Sequence, residues 1–152
     1  MGNDAGGTLQ NLQTGDGEFN QLLRVDAGMS IPIKSKKVSA YANTYVGFNN
    51  RTNNFSDEFR FGLEAGLSLF EKKFLVIGRM NLVKSLKNGA DASEITSTSI
   101  FSNNSEYTNV GVELAYNFSK KIGMSVSYDS AINGEIIFAS PAYSVGVFYK
   151  LN

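Results

Sequence analysis

The chain has no cysteine and no histidine. Their absence excludes disulfides, Cys/His metal centres and every nucleophile–histidine triad. Chemistry is left to carboxylates, lysine, tyrosine, serine and threonine. Proline is scarce, with 2 residues in 152. Net charge is lacking too: 14 basic residues balance 14 acidic ones, so the basic field that marks nucleic-acid binding is absent. No apolar run reaches the roughly 18 residues of a membrane-spanning helix. The opening "MGNDAGGTLQNLQTGDGEF" has neither the basic start nor the apolar centre of a secretory signal.

What the chain does have is alternation. In "DEFRFGLEAGLSLF" (57–70), Phe59, Phe61, Leu63, Ala65, Leu67 and Leu69 share one face, and Glu58, Arg60, Gly62, Glu64, Gly66 and Ser68 the other. In "YTNVGVELAYNF" (107–118), Val110, Val112, Leu114, Tyr116 and Phe118 oppose Asn109, Gly111, Glu113, Ala115 and Asn117. A helical period would scatter both sets around a cylinder; a period of two is that of a strand. The same pattern predicts strands at 18–33, 37–49, 121–130 and 143–151. In 72–85 it is less clean, because Leu75, Ile77 and Val83 lie on the face that carries Arg79 and Asn81.

About seven long strands result, most longer than the usual 5–6 residues of globular proteins. Tight lysine-rich turns are expected at 34–36, 71–73 and 119–121, and longer polar loops at 49–57, 87–107 and 130–135. Short and long connections then alternate, as in up-and-down transmembrane barrels. The expected fold is all-β: an antiparallel up-and-down transmembrane β-barrel with about seven or eight strands in this chain. Residues 18–152 would hold the strands and loops, and residues 1–17 a polar, Gly-rich loop or N-terminal remnant.

A soluble barrel turns its apolar face inward, and a membrane barrel turns it to lipid. Three features favour lipid. Mid-strand charges, Arg24, Asp26, Glu58, Arg60, Glu64, Arg79 and Glu113, fall on the polar face. That face is otherwise rich in Gly, Ser and Asn. Aromatic residues on the apolar face fall near strand ends: Phe19, Phe48 and Phe59 at the loop end, and Phe74, Tyr116, Phe118 and Tyr149 at the turn end. Such rings resemble interfacial girdles.

The seven charges are the candidate lumen-facing residues. Either they select solutes by charge and size, or they pair across strands and stiffen the interior. Tyr41 and Tyr45 either stack on a solute or pack over glycines such as Gly28 or Gly62. Paired carboxylates imply hydrolysis only at a defined separation with one raised pKa; the sequence specifies neither, so neither an enzyme nor a cofactor is expected. The sequons "NRT" (50–52) and "NFS" (54–56) read as polar loops. The long loop 87–107 reads as a constriction, a partner site or, most simply, a mobile surface loop.

The ending "SVGVFYKL" (144–151) resembles the C-terminal assembly signal of Gram-negative outer-membrane β-barrels. Ser144, Gly146, Tyr149 and Leu151 fill its fixed places, although an aromatic residue is usual where Leu151 stands and Asn152 trails it. The stretches "LQTGDGEFNQLLRVDAG", "FLVIGRMNLVKSLKNG", "NVGVELAYNFSKKIGMSVSY" and "PAYSVGVFYKL" resemble the transporter- or porin-like barrels of Bacteroidetes. The resemblance implies an outer-membrane location, contact with lipid and with the barrel-assembly machinery, and passage of a small solute. It names no substrate residue. A small anchor or adhesion barrel without a pore, and a soluble lipocalin-like carrier, are the alternatives.

Bacterial single-chain barrels have an even strand number and both termini in the periplasm. Counting back from the last strand, the first would begin at the loop side. The chain is therefore expected to be the C-terminal portion of a larger barrel, completed by N-terminal strands or by an oligomer. The weaker option is an eighth strand in 7–13, where Leu9 and Leu12 are out of phase.

Overall fold

The computed structural model describes residues 5–6, 12–13, 19–35, 37–90, 103–137 and 140–151. Two short strands, β1 (Ala5–Gly6) and β2 (Leu12–Gln13), pair only with each other. Seven more form one antiparallel sheet in chain order: β3 (Asn20–Ile31), β4 (Ser39–Arg51), β5 (Glu58–Leu69), β6 (Phe74–Ser85), β7 (Glu106–Asn117), β8 (Ile122–Glu135) and β9 (Ala142–Tyr149). The fold is thus all-β and up-and-down. β3 and β9 are its two edges and do not pair, so the sheet is open. Of the weaker option, an eighth strand in 7–13, the described piece is Leu12–Gln13, and it pairs with β1 and not with this sheet; residues 7–11 lie outside the described residues.

Both prolines stand at strand limits. Pro32 follows β3 and Pro141 precedes β9, where a missing N–H costs no ladder bond. Two expectations about connections need correction. The segment 130–135, read as a loop, belongs to β8. Its Asn-Gly pair signals a turn, yet Thr108 and Tyr107 pair with Asn133 and Gly134, and a register shift between Thr108 and Asn109 takes up Ile132. A bulge of this kind lets a strand continue past an unpaired residue. The basic turn near 34–36 is also wider than expected: residues 32–38 link β3 to β4, no fewer than link β4 to β5 at 52–57. The turn between β5 and β6 is tight. It places Phe70, Glu71 and Lys72 at φ of 51°, 58° and 70°, a left-handed run that non-glycine residues adopt only under constraint.

The sheet is inverted relative to a water-soluble domain. Side chains with less than a tenth of their surface exposed include the polar Asn49, Ser56, Glu58, Ser85, Asn103 and Glu106. Buried apolar side chains among the described residues are only Phe55, Ile77, Val83 and Ala115. Val25, Val46, Leu63, Val112, Leu114 and Val145 on the opposite face are all exposed. A single sheet can bury one face preferentially only by curling around it, so the polar face is the concave one. Ile77 and Val83, the residues that disturbed the pattern in β6, lie on this inner face.

The rings of Tyr41 and Tyr45 fill the space left by glycines on β5. A Cβ at Gly66 would fall within the Tyr41 ring, and one at Gly62 within the Tyr45 ring. Tyr45 therefore behaves as expected. Gly28, however, lies under Asn43 rather than under a tyrosine. Gly66→Ala is expected to destabilise the sheet by about 1–3 kcal/mol through overpacking, read as a lowered urea midpoint with an unchanged slope.

Candidate functional site

Alternation places all seven candidate charges on the concave face, and the register decides which of them meet. In β3 and β4, Asp26 lies opposite Tyr45; in β5 and β6, Glu64 lies opposite Arg79. Arg79 Nε donates to Glu64 Oε2 at 2.8 Å, and its Nη1 reaches Glu113 Oε2 at 2.8 Å. Glu64 also accepts from the Tyr41 hydroxyl at 2.9 Å. A ladder of tyrosine, carboxylate, guanidinium and carboxylate thus crosses four strands.

Nearer the loops, Glu58 holds a second group. Arg51 Nη1 lies 3.0 Å from its Oε1, Arg60 Nη2 lies 2.6 Å from its Oε2, and the Asn49 amide donates to Oε2 at 3.1 Å. Arg24 and Asp26 form the third group, with Arg24 Nε donating to Asp26 at 2.9 Å and the guanidinium 3.7 Å above the Tyr45 ring. Tyr45 carries its hydroxyl across Gly62 to Asn81 Oδ1 at 3.1 Å. On the edge strand β3 the ion pair runs along the strand, whereas inside the sheet pairs also run across it.

Pairing therefore uses every one of the seven candidates. Arg24, Asp26, Asn43, Tyr45, Glu64 and Arg79 border a depression of about 530 Å³, large enough for a small organic solute. Three members of the face were not singled out in the sequence. Arg51 falls in the segment expected as a loop, Asn49 at the end of an expected strand, and Asp129 within the strand expected at 121–130. Asp129 leans over Gly111, where a Cβ would meet its carboxylate. Gly111 is also the register partner of Arg79, so Asp129 stands two strands from that arginine in the same row. Continuing the alternation of β4 two residues further would have found Arg51. Among the described residues, no three acidic side chains gather as a metal site.

The aromatic candidates sit on the convex face at strand ends. Phe48 lies opposite Phe59, and Phe74 opposite Tyr116. At the turn end Phe70, Phe74, Tyr116 and Phe118 touch in sequence, with ring centroids 6.0, 4.7 and 5.1 Å apart. Phe19 extends the β3–β4 ladder: its N–H donates to Thr52 Oγ1 at 2.8 Å. Tyr149 is exposed opposite Ile122. Phe70 and the pair Tyr128–Tyr143, 5.1 Å apart, were not anticipated. Of the assembly-signal residues, Ser144 and Gly146 lie opposite Ser127 and Ser125 on the polar face, Tyr149 points outward, and Leu151 follows the strand end.

The loops at the Arg51 end are tied together rather than loose. Ser56 N–H donates to Asn103 Oδ1 at 2.8 Å, and the Asn103 amide donates to the carbonyls of Ala90 at 2.8 Å and Asn54 at 3.2 Å. Asn88 and Asp57 exchange bonds of 2.9 and 2.8 Å. The sequon residues are bonded as well: Asn50 donates to Asp57 Oδ1 at 3.0 Å, Asn54 accepts through its carbonyl and Ser56 through its hydroxyl. The described parts of the long loop, 86–90 and 103–105, are pinned; residues 91–102 lie outside the described residues.

The Asn88 amide is the largest cause holding the Asp57 carboxyl below its ordinary value, followed by the Arg51 backbone N–H, while partial burial opposes them. A depressed folded-state pKa stabilises above the unfolded value of about 3.9 and is lost as pH falls through the folded value. Wild type is accordingly expected to lose melting temperature more steeply below about pH 4 than Asp57→Asn; parallel profiles would remove Asp57 from the clasp.

Compared with known proteins, the chain matches no protein family, no characterised protein and no solved structure.

Proposed function

We propose that this chain builds part of the wall of an outer-membrane β-barrel of the porin or transporter type, through which small solutes pass passively along the concave polar face. The observation that carries this reading is the inverted burial: polar side chains are enclosed while a continuous apolar face is exposed. Soluble monomers rarely expose apolar patches of more than a few hundred Å², and a lipid-facing wall requires one. Strand length agrees. Twelve residues, as in β3, β5, β6 and β7, span about 40 Å at 3.4 Å each, or about 30 Å along the membrane normal at a tilt near 40°. That matches the thickness of a hydrocarbon core. The aromatic clusters at the strand ends fit interfacial girdles.

Strand parity adds to the reading. The seven strands alternate in direction, so β3 and β9 both run from the loop end to the turn end. Direct closure would be a parallel pair in an otherwise antiparallel wall. An antiparallel closure needs an odd number of further strands, and supplying them is part of the proposal.

Partition of the purified chain into detergent, heat-modifiable gel migration and stepwise conductance in planar bilayers are the expected results. A monodisperse, detergent-free monomer would sink the membrane reading in favour of a carrier. A second reading, a barrel that anchors without a pore, is favoured by the complete pairing of the seven candidate charges. Insertion without conductance would select it.

A further inference from the structure

At the loop end of the concave face, loop segments lie against the inner wall. On the inner face near the loops Asn49, Glu58, Val83 and Ser85 are 2%, 6%, 7% and 5% exposed. Their outward neighbours Phe48 and Phe59 are 43% and 41% exposed. Curling encloses the inner face along its length, Ile77 and Ala115 toward the turn end included, and at the loop end a cover adds to it.

The cover is built from the two loops. Phe55 is buried and lies against the Arg51 guanidinium, 4.7 Å from ring centroid to Cζ, and Arg51 belongs to the inner face through Glu58. From the other loop, Asn104 accepts from the inner-face Ser85 hydroxyl at 2.9 Å. Ser56 and Asn103, which join the loops, are fully buried. Gly89 fits so closely that a Cβ would overlap the Asn54 carbonyl oxygen and the Ser56 nitrogen, and its N–H donates to Ser56 Oγ at 2.9 Å.

We propose that these interlocked loops, residues 52–57 with 86–90 and 103–105, form a fixed roof over the loop-side mouth, and that the roof rather than the strands sets the size of solute that reaches the polar face. The proposal rests on the pore reading above. Asn103 is its keystone. One side chain accepts from Ser56 and Asn104 and donates to Asn54 and Ala90, so it ties both loops at once. The filter proposed is one of size: the keystone bonds are made by amides, a hydroxyl and backbone groups, and the carboxylate among the joints, Asp57, is bonded to the Asn50 and Asn88 amides.

The absence of native cysteine makes the test direct. Ser127→Cys, on the inner face opposite Glu113 and Ser144, serves as a reporter for membrane-impermeant thiol reagents applied to the loop side. A small methanethiosulfonate should label it quickly, and a polymer-tethered maleimide slowly. Asn103→Ala should raise the large reagent's rate about tenfold, which corresponds to loss of roughly 1.4 kcal/mol of clasp stability. It should leave the small reagent's rate unchanged. Gly89→Val is the second variant; it pries the loops apart without removing a hydrogen-bonding side chain. Equal large-reagent rates in wild type and both variants, each showing folded gel mobility, would overturn the roof and leave the pore standing. A reporter that the small reagent never labels would overturn the pore and the roof with it.

Discussion

Leu63→Arg is expected to cost about 2–4 kcal/mol of folding free energy in a bilayer. Leu63 is mid-strand in β5, opposite Thr44 and Met80, and 44% exposed on the convex face. In water an exposed leucine replaced by arginine changes stability by no more than about 0.5 kcal/mol in either direction. The same substitution is therefore nearly silent in a soluble sheet and severe in a lipid-facing one. Urea titration of folding into phosphatidylcholine vesicles reads the difference, with Leu63→Ala as a control for lost packing. Equal midpoints for Leu63→Arg and Leu63→Ala would remove lipid from the convex face.

Arg79→Ala is the second large loss. It leaves Glu64 and Glu113 without the guanidinium that bridges them. Breaking a buried pair costs about 3–5 kcal/mol. Arg79 and its partners keep a quarter to a third of their side-chain surface exposed, so solvent reduces this to about 1–3 kcal/mol. Adding Glu64→Gln and Glu113→Gln should recover much of the loss, because the uncompensated charges leave with their carboxylates. If the triple variant is no more stable than Arg79→Ala, repulsion is not the cause and the ladder does not stiffen the wall.

Face assignment was legible because it needs only a period of two. Strands such as β5 and β7 keep strict alternation, so Glu64 and Glu113 could be placed on one face before any contact was known. Their partners were less accessible. Arg79 touches both because β6 lies between β5 and β7 in a particular register, and register is set by turns and bulges. The roof was illegible for a different reason. Ser56 and Asn103 stand 47 positions apart, and serine and asparagine in polar segments look alike whether solvated or buried. The end of β8 misled because Asn133-Gly134 signals a local turn, while pairing with β7 overrides it.

The small interior has an energetic consequence. Phe55, Ile77, Val83 and Ala115 are the buried apolar side chains among the described residues, too few to offset the conformational entropy that ordering such long strands removes. On the lipid-facing reading proposed above, most of the driving force comes from the medium that covers the convex face. In linkage terms that medium is a ligand of the folded state alone. The chain's apparent stability should then follow the amount of amphiphile present, and acquiring structure and leaving water become one event.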